Sequence, residues 1–320
     1  MKTKQQLKKY LKQLNPAGLK NARVTKQINP ERASYFTWLV YDKGKKYLVK
    51  IAKPDFDKKE AIVLEYSLLK HLQKTTIAPK AYWLDPSHYL IIEDYLEGKW
   101  PHSDPKKEPS EKVIKAMAKT LARLHKIKPP KEIALKQQSY PKPDDFERKI
   151  REIDKGKYAK PILDKTGFIK FVPRIKRFLS FAEKASRRKR QVLLHNNTYL
   201  VNFLIDKQNK ARLIDFKAAA IGEPSFDFGN IFVWIGWRKP GYYEKYKNVF
   251  LREYQRYHKY PGLAKLFSIQ MLERDVASFT SELKIANQMK VKSAAVKYLK
   301  SAKPEWRVEL IKKQLEDFGF

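Results

Sequence analysis

The strongest constraint on the fold is a change of hydrophobic period part-way along the chain. Between Ala22 and Glu93 the apolar residues gather into short runs, at 22–28, 35–41, 47–51, 80–84 and 89–93, which read as strands. Asp42-Lys43-Gly44, between two of these runs, is a hairpin signal, and Asp85-Pro86-Ser87 separates the last two. A single helix interrupts them. Ala61, Ile62, Leu64, Leu68, Leu69 and Leu72 fall on a 3.6-residue stripe, so residues 58–73 form a helix with one buried face. Beyond Gly98 come Pro101, Pro105 and Pro109 among charges, then helical patterns at 110–126, 144–153 and 172–186. Three short apolar strands follow within 191–216, and helices resume from Ser225. The expected architecture is α+β, with a small antiparallel β-rich lobe carrying one helix (residues 1–97) and a larger, mainly helical lobe (98–320). A ligand is expected between such lobes, where pockets concentrate.

Composition narrows the function classes. Of 320 residues, 42% are hydrophobic and 13% aromatic, enough to bury a core. No period of 20 to 50 residues recurs, which argues against a solenoid or propeller. The absence of cysteine removes disulfides, thiolate metal sites and a cysteine nucleophile, and the six histidines are scattered without metal-ligand spacing. The longest apolar stretch, residues 230–237, is far shorter than the ~20 residues of a membrane span. The first residues carry charge without an apolar core, so a soluble, cytoplasmic protein is expected. Leu7, Tyr10, Leu11 and Leu14 stand at helical spacing among lysines; a leading helix packed on the domain is favoured over an amphipathic helix on anionic lipid.

Lys and Arg number 69 against 34 Asp and Glu, a net charge of +35. Such a balance raises the expectation of a polyanionic partner. Lysines nevertheless outnumber arginines roughly three to one and spread along the whole chain, and the densest cluster is only Arg187-Arg188-Lys189-Arg190. That pattern fits a solvated surface better than a phosphate-reading face, so the charge admits nucleic acid as a partner without favouring it.

The chemistry concentrates in residues 192–216. His195-Asn196-Asn197-Thr198 and Asn202 lie between two buried-looking strands, and thirteen residues past Asn202 a lone carboxylate, Asp215, interrupts the apolar run Leu213-Ile214-Asp215-Phe216. An ionised carboxylate costs several kcal/mol to bury unless it meets a cation. Asn202 and Asp215, both oxygen donors at strand ends, suit Mg²⁺, which takes one or two carboxylates and completes its octahedron with water and nucleotide phosphate.

These residues resemble the aminoglycoside phosphotransferase and choline kinase family, whose fold is that of the protein kinases. The family pattern His-(Gly/Asn)-Asp-x-x-x-x-Asn lies over His195-Asn196-Asn197 and Asn202 at identical spacing, and its Ile-Asp-Trp/Phe signature over Ile214-Asp215-Phe216. Gly222-Glu223-Pro224 through Asp227 is similar to the family's Gly-Asp-Pro-x-x-Asp. Residues 89–98, ending Glu93-Asp94-Tyr95-Leu96-Glu97-Gly98, look like the hinge strand, and 121–125 like the helix after it. The resemblance runs in order from about Val24 to Asp227. It implies ATP or another nucleoside triphosphate as phosphoryl donor, with Mg²⁺. Lys50 would then contact the α- and β-phosphates and pair with a helix carboxylate, Glu65 first and Glu60 second. Asn202 and Asp215 would hold Mg²⁺, and Glu93 to Tyr95 would present backbone groups to the adenine. His195 reads as a brace more than an acid or base, and Asp227 as an orienting or capping residue near a helix start.

Two departures stand out. The family's catalytic Asp, which accepts the substrate hydroxyl's proton, is Asn197 here, and an amide is no base. General-base help is worth roughly 10²–10⁴-fold, yet phosphoryl transfer rests mainly on positioning and charge stabilisation, so Asn197 can still orient a hydroxyl. The phosphate loop at 28–35 contains no glycine, leaving Ala33 and Ser34 to offer amides and a hydroxyl. On the acceptor side, residues 241–320 hold 16 basic and 9 acidic side chains, which disfavours a cationic aminoglycoside. Trp234, Trp237, Tyr242, Tyr243 and Tyr246 read as packing before they read as an aromatic wall for a quaternary ammonium or sugar. The expected function is ATP- and Mg²⁺-dependent phosphotransfer to the hydroxyl of a small molecule, with activity reduced or reshaped at Asn197. The alternative is a pseudokinase, a nucleotide-binding or scaffolding module.

Overall fold

The computed structural model describes residues 3–28, 34–53, 60–101, 109–187, 190–238, 240–301 and 303–320. The chain forms two compact units, each assembled from three segments. The first comprises residues 1–136, 192–221 and 245–259, and the second 137–191, 222–244 and 260–320.

The first unit is built on a five-stranded antiparallel sheet of β1 (Arg23–Gln27), β2 (Tyr35–Asp42), β3 (Lys45–Ala52), β4 (Ala81–Asp85) and β5 (Leu90–Asp94), in the order β1-β2-β3-β5-β4. The β2–β3 hairpin closes on Lys43 (φ 45°) and Gly44 (φ 77°) with Asp42 opposite Lys45, the two-residue turn with positive φ at both positions that matches strand twist. Strand alternation gives the sheet two different faces. On one, Trp38, Val40, Val49, Ile51, Leu90 and Ile92 form a core with Leu7, Tyr10 and Leu11 of α1 (Lys4–Leu14). The leading helix thus spends its apolar stripe on the sheet. A capping box between Thr3 and Gln6 starts it, and Tyr10 Oη donates to Asp85 at 2.6 Å.

Also in the first unit, α2 (Ala61–Leu72) buries Ile62, Leu68, Leu69 and Leu72 of the stripe read from the sequence, with Ala61 and Leu64 half-buried at its edges. α3 (Glu111–Lys126) starts at Ser110, whose hydroxyl accepts from Val113 N, and buries Ile114, Met117, Ala118, Leu121 and Leu124. Thr120 Oγ1 donates to Ala211 O at 2.9 Å, fixing α3 to the short hairpin of Phe203–Ile205 and Ala211–Leu213. Gly98 leads into a two-bond bridge between Lys99 and Ile205. A Cβ there would stand 3.0 Å from Leu204 Cβ and 3.1 Å from Ile205 O, so any other residue would press the two segments apart by a few tenths of an ångström.

The second unit is helical: α4 (Pro143–Asp154), α5 (Lys160–Thr166), α6 (Val172–Arg187), α7 (Phe226–Arg238), the start of α8 (Pro240–Tyr257), α9 (Leu263–Gln288), α10 (Lys292–Ser301) and α11 (Pro304–Asp317). The 26-residue α9 is its spine, packing against α4, α6, α7, α10 and α11. Phe279 meets Phe168 with ring centroids 4.8 Å apart, and Phe267 meets Phe232 at 4.9 Å. No described helix is long and apolar enough to cross a membrane. Residues 29–33 of the glycine-free loop and Arg188-Lys189 of the basic cluster lie outside the described residues.

Candidate active site

The candidate site lies within the first unit. Lys50 opposes Ile91 across the β3–β5 ladder, and Glu93, two residues further along β5, shares its face of the sheet. Lys50 Nζ stands 2.9 Å from Glu65 Oε1 and 2.7 Å from Glu93 Oε1, with all three residues buried. Burial disfavours the ammonium charge, but Glu65 and Glu93 outweigh it and hold the Lys50 pKa above the ordinary lysine range. Burial dominates at Glu93, where it lifts the carboxyl to about 7 against the pull of Lys50. Glu65 Oε1 also accepts from Phe216 N at 3.2 Å, so the α2 carboxylate connects the strand lysine to the residue beside Asp215.

The loop after the strand Val192–Leu194 is pinned by its own polar groups. His195, fully buried, donates from Nε2 to Ile214 O at 2.9 Å and lies edge-on to Phe216. Asn196 has φ 60°, a conformation that Gly and Asn tolerate best, and its amide donates to Ala218 O. Asn202 Nδ2 donates to Asn197 O at 2.7 Å, and Ile214 N donates to Asn202 O at 3.0 Å. These bonds bring Asn197, Asn202 and Asp215 into one strip.

Asp215 itself is left-handed, with φ 68° and ψ 64°, at the start of the turn Phe216–Ala218. Its Oδ2 is 3.1 Å from Lys217 Nζ, while its Oδ1 is buried with no hydrogen-bond partner among the described residues. An orphaned buried carboxylate oxygen fits a cation ligand, and the amide oxygen of Asn202 would be the companion donor. Among the described residues no group of three or more His, Asp or Glu side chains is placed to hold a metal ion.

The hinge and loop residues behave differently. Asp94 N donates to Lys80 O and Tyr95 N to Lys46 O, so both amides are engaged in strand pairing. The Glu93 side chain, expected only to follow its backbone, turns inward onto Lys50. Ser34 sits in the bend before β2, where its carbonyl accepts from Lys53 N.

In the second unit, Asp227 is buried in the first turn of α7. Glu223 accepts from Ser225 N at 2.9 Å, from the Ser225 hydroxyl and from Tyr140 Oη, and burial pushes its carboxyl up. Tyr243 packs against Phe232 and Phe267. Tyr246, in the first unit, is buried and donates to Pro109 O. The side chains of Trp234, Trp237 and Tyr242 lie outside the described residues.

Lys217 escaped the sequence reading, and Glu93 was named there for its backbone alone. Period-two alternation from Lys50 and its partner Ile91 would have turned the Glu93 side chain toward Lys50. Lys217 carried its signal in standing two residues past Asp215.

The sequence model of the phosphotransferase enzyme family matches residues 25–260. The chain belongs to that family. No curated protein is found to match it in sequence. Among solved structures, this phosphotransferase-family chain is similar to an ethanolamine kinase of Plasmodium vivax (TM-score 0.67, 17% identity, covering 98% of this chain and 91% of that one). A choline kinase of Streptococcus pneumoniae gives a TM-score of 0.58 at 16% identity, over 94% and 99% of the two chains. A spectinomycin phosphotransferase solved with ADP and spectinomycin gives 0.58 at 17%, over 95% and 98%. At these identities the likeness is one of fold: the kinase-like α+β fold expected from the residues around His195 and Asp215.

Proposed function

We propose that this family member transfers the γ-phosphoryl group of ATP, or another nucleoside triphosphate, to the hydroxyl of a small molecule. The observation that carries the reading is the buried Lys50–Glu65 pair, tied through Phe216 N to the turn that begins at Asp215. Holding a lysine charged in a buried position requires such partners, and a charged lysine there serves to bind phosphate oxygens. In this reading the β3 ammonium orients the α- and β-phosphates. Asp215 and Asn202 hold Mg²⁺, which when bound neutralises charge building on the transferring group.

Asn197 cannot take the acceptor's proton, since its amide is no base at neutral pH. Its place is to orient the hydroxyl by hydrogen bonding, with the proton leaving to solvent or to a phosphate oxygen as the new P–O bond forms and the β–γ bridging bond breaks. His195, spent on Ile214 O, acts as a brace that fixes the loop. The ethanolamine, choline and spectinomycin kinases that share the fold all phosphorylate small hydroxylated compounds by name, which supports an acceptor of that class. Asn197 also supports a second reading, a nucleotide-binding module without transfer.

Calorimetric titration with ATP and Mg²⁺ tests the shared premise. The wild type is expected to bind and Lys50→Met to lose at least about tenfold in affinity; no binding by the wild type would end both readings. Asn197→Asp then separates them, because restoring the base is expected to raise ATP turnover by at least roughly tenfold. An unchanged rate would favour the module.

A further inference from the structure

Asp215 is shared between two kinds of cation. Lys217, two residues further along the same turn, bends back so that its Nζ lies 3.1 Å from Asp215 Oδ2. The same Nζ sits 4.8 Å from the centre of the Tyr35 ring, whose face attracts a cation from the other side. Tyr35 is buried on β2 and therefore a fixed platform. The Asp215 and Lys217 side chains are each only 24% exposed, so their attraction is less screened than that of a surface pair.

The neighbouring charges show what this ammonium changes. Lys50 is already answered by Glu65, while burial leaves Glu93 only partly ionised at neutral pH, so Asp215 and part of the Glu93 charge exceed what the one ammonium balances. Lys217 brings one of these into balance. A polyphosphate arriving at Lys50 would otherwise depend on a divalent ion to offset Asp215. A divalent ion at Asp215 Oδ1 would in turn meet the Lys217 ammonium across a single carboxylate group, and like charges at such separations repel strongly.

We propose that Lys217 is a built-in counter-cation for Asp215, which competes with the divalent ion for this carboxylate and lets the site hold nucleotide polyphosphate with little help from metal. The proposal rests on the nucleotide-binding reading above and adds to it a property of this chain's own residues. Nucleotide affinity depends weakly on Mg²⁺ in the wild type, and the dependence grows when the ammonium is removed.

The test is calorimetric titration of ADP into the full chain, in millimolar Mg²⁺ and in EDTA, for the wild type, Lys217→Met and Lys217→Arg. The wild-type affinity is expected to differ between the two conditions by less than about threefold, Lys217→Arg to behave like it, and Lys217→Met to differ by at least about tenfold. A ratio of affinities in one protein is insensitive to a general loss of stability, and the wild-type pair of titrations decides the matter even where Lys217→Met does not fold. Wild-type binding that tightens tenfold or more with Mg²⁺, as about 1.4 kcal/mol of metal contribution would give, overturns the proposal and leaves the nucleotide reading intact. Absence of ADP binding in both conditions overturns the nucleotide reading and the proposal with it.

Discussion

Lys50 Nζ and Glu93 Oε1 are 2.7 Å apart on one buried face of the sheet, and the balance of burial against attraction there has a consequence for stability. Glu93 titrates near 7 in the folded chain because desolvation outweighs the pull of Lys50, whereas its ordinary value is 4.5. Between those values the folded state binds the extra proton. Stability therefore falls as pH rises through that window, by up to about 1.4 kcal/mol per pH unit, and levels off above it. Glu93→Gln removes the titration, and urea midpoints measured from about pH 5 to pH 7 should decline less steeply in the variant than in the wild type. Parallel slopes would mean that Glu93 stays ionised throughout. At this scale the sequence was readable where spacing carries meaning: Lys50 ahead of a helix with Glu65, and Asn202 thirteen residues before Asp215. It was less readable where a side chain's direction decides, since Glu93 stood in a hinge-like run whose backbone drew the attention.

Elements were legible in proportion to their periodicity. The five strands and α2 follow from alternation and from one apolar stripe, and α3 follows from its Ser110 cap and amphipathic face. α5 was not foreseen, because seven residues give fewer than two turns of pattern and its start is fixed from far away in sequence. Asn287, at the end of α9, accepts from Tyr158 N at 3.1 Å and Ala159 N at 2.9 Å and donates to Ile153 O at 3.1 Å, joining the end of α4 to the start of α5. Gly156 makes room for it, for a Cβ there would lie 1.7 Å from Asn287 Nδ2. Gly156→Ala must expel the Asn287 side chain and leave buried backbone groups unpaired, at a cost of about 2–4 kcal/mol. Asn287→Ala loses the same bonds, so the double variant should be scarcely less stable than either single one. Additive losses in chemical denaturation would show that Gly156 matters for some other reason.

For the whole molecule the dominant quantity is charge. With 69 cationic and 34 anionic side chains, 35 cations have no anion to balance them anywhere in the sequence. The ion pairs formed are mainly at the surface, such as Lys115–Glu111 and Arg148–Asp145, and each contributes little. Self-repulsion of the remaining cations opposes the compact state, and salt weakens it as the screening length shrinks from about 30 Å at 0.01 M to about 8 Å at 0.15 M. The melting temperature should therefore rise by several degrees over that range of NaCl, where a chain of balanced charge would change little. The same screening separates solubility from recognition. Lysines dispersed along the chain should bind a mixed-sequence DNA duplex at low salt and release it by about 0.15 M, because each displaced phosphate contact releases counterions. Fluorescence anisotropy of a labelled duplex across that range distinguishes the cases: steep loss of binding marks the charge as a solvated surface, and retained binding at about 0.15 M would mean that the lysines form an organised polyanion site.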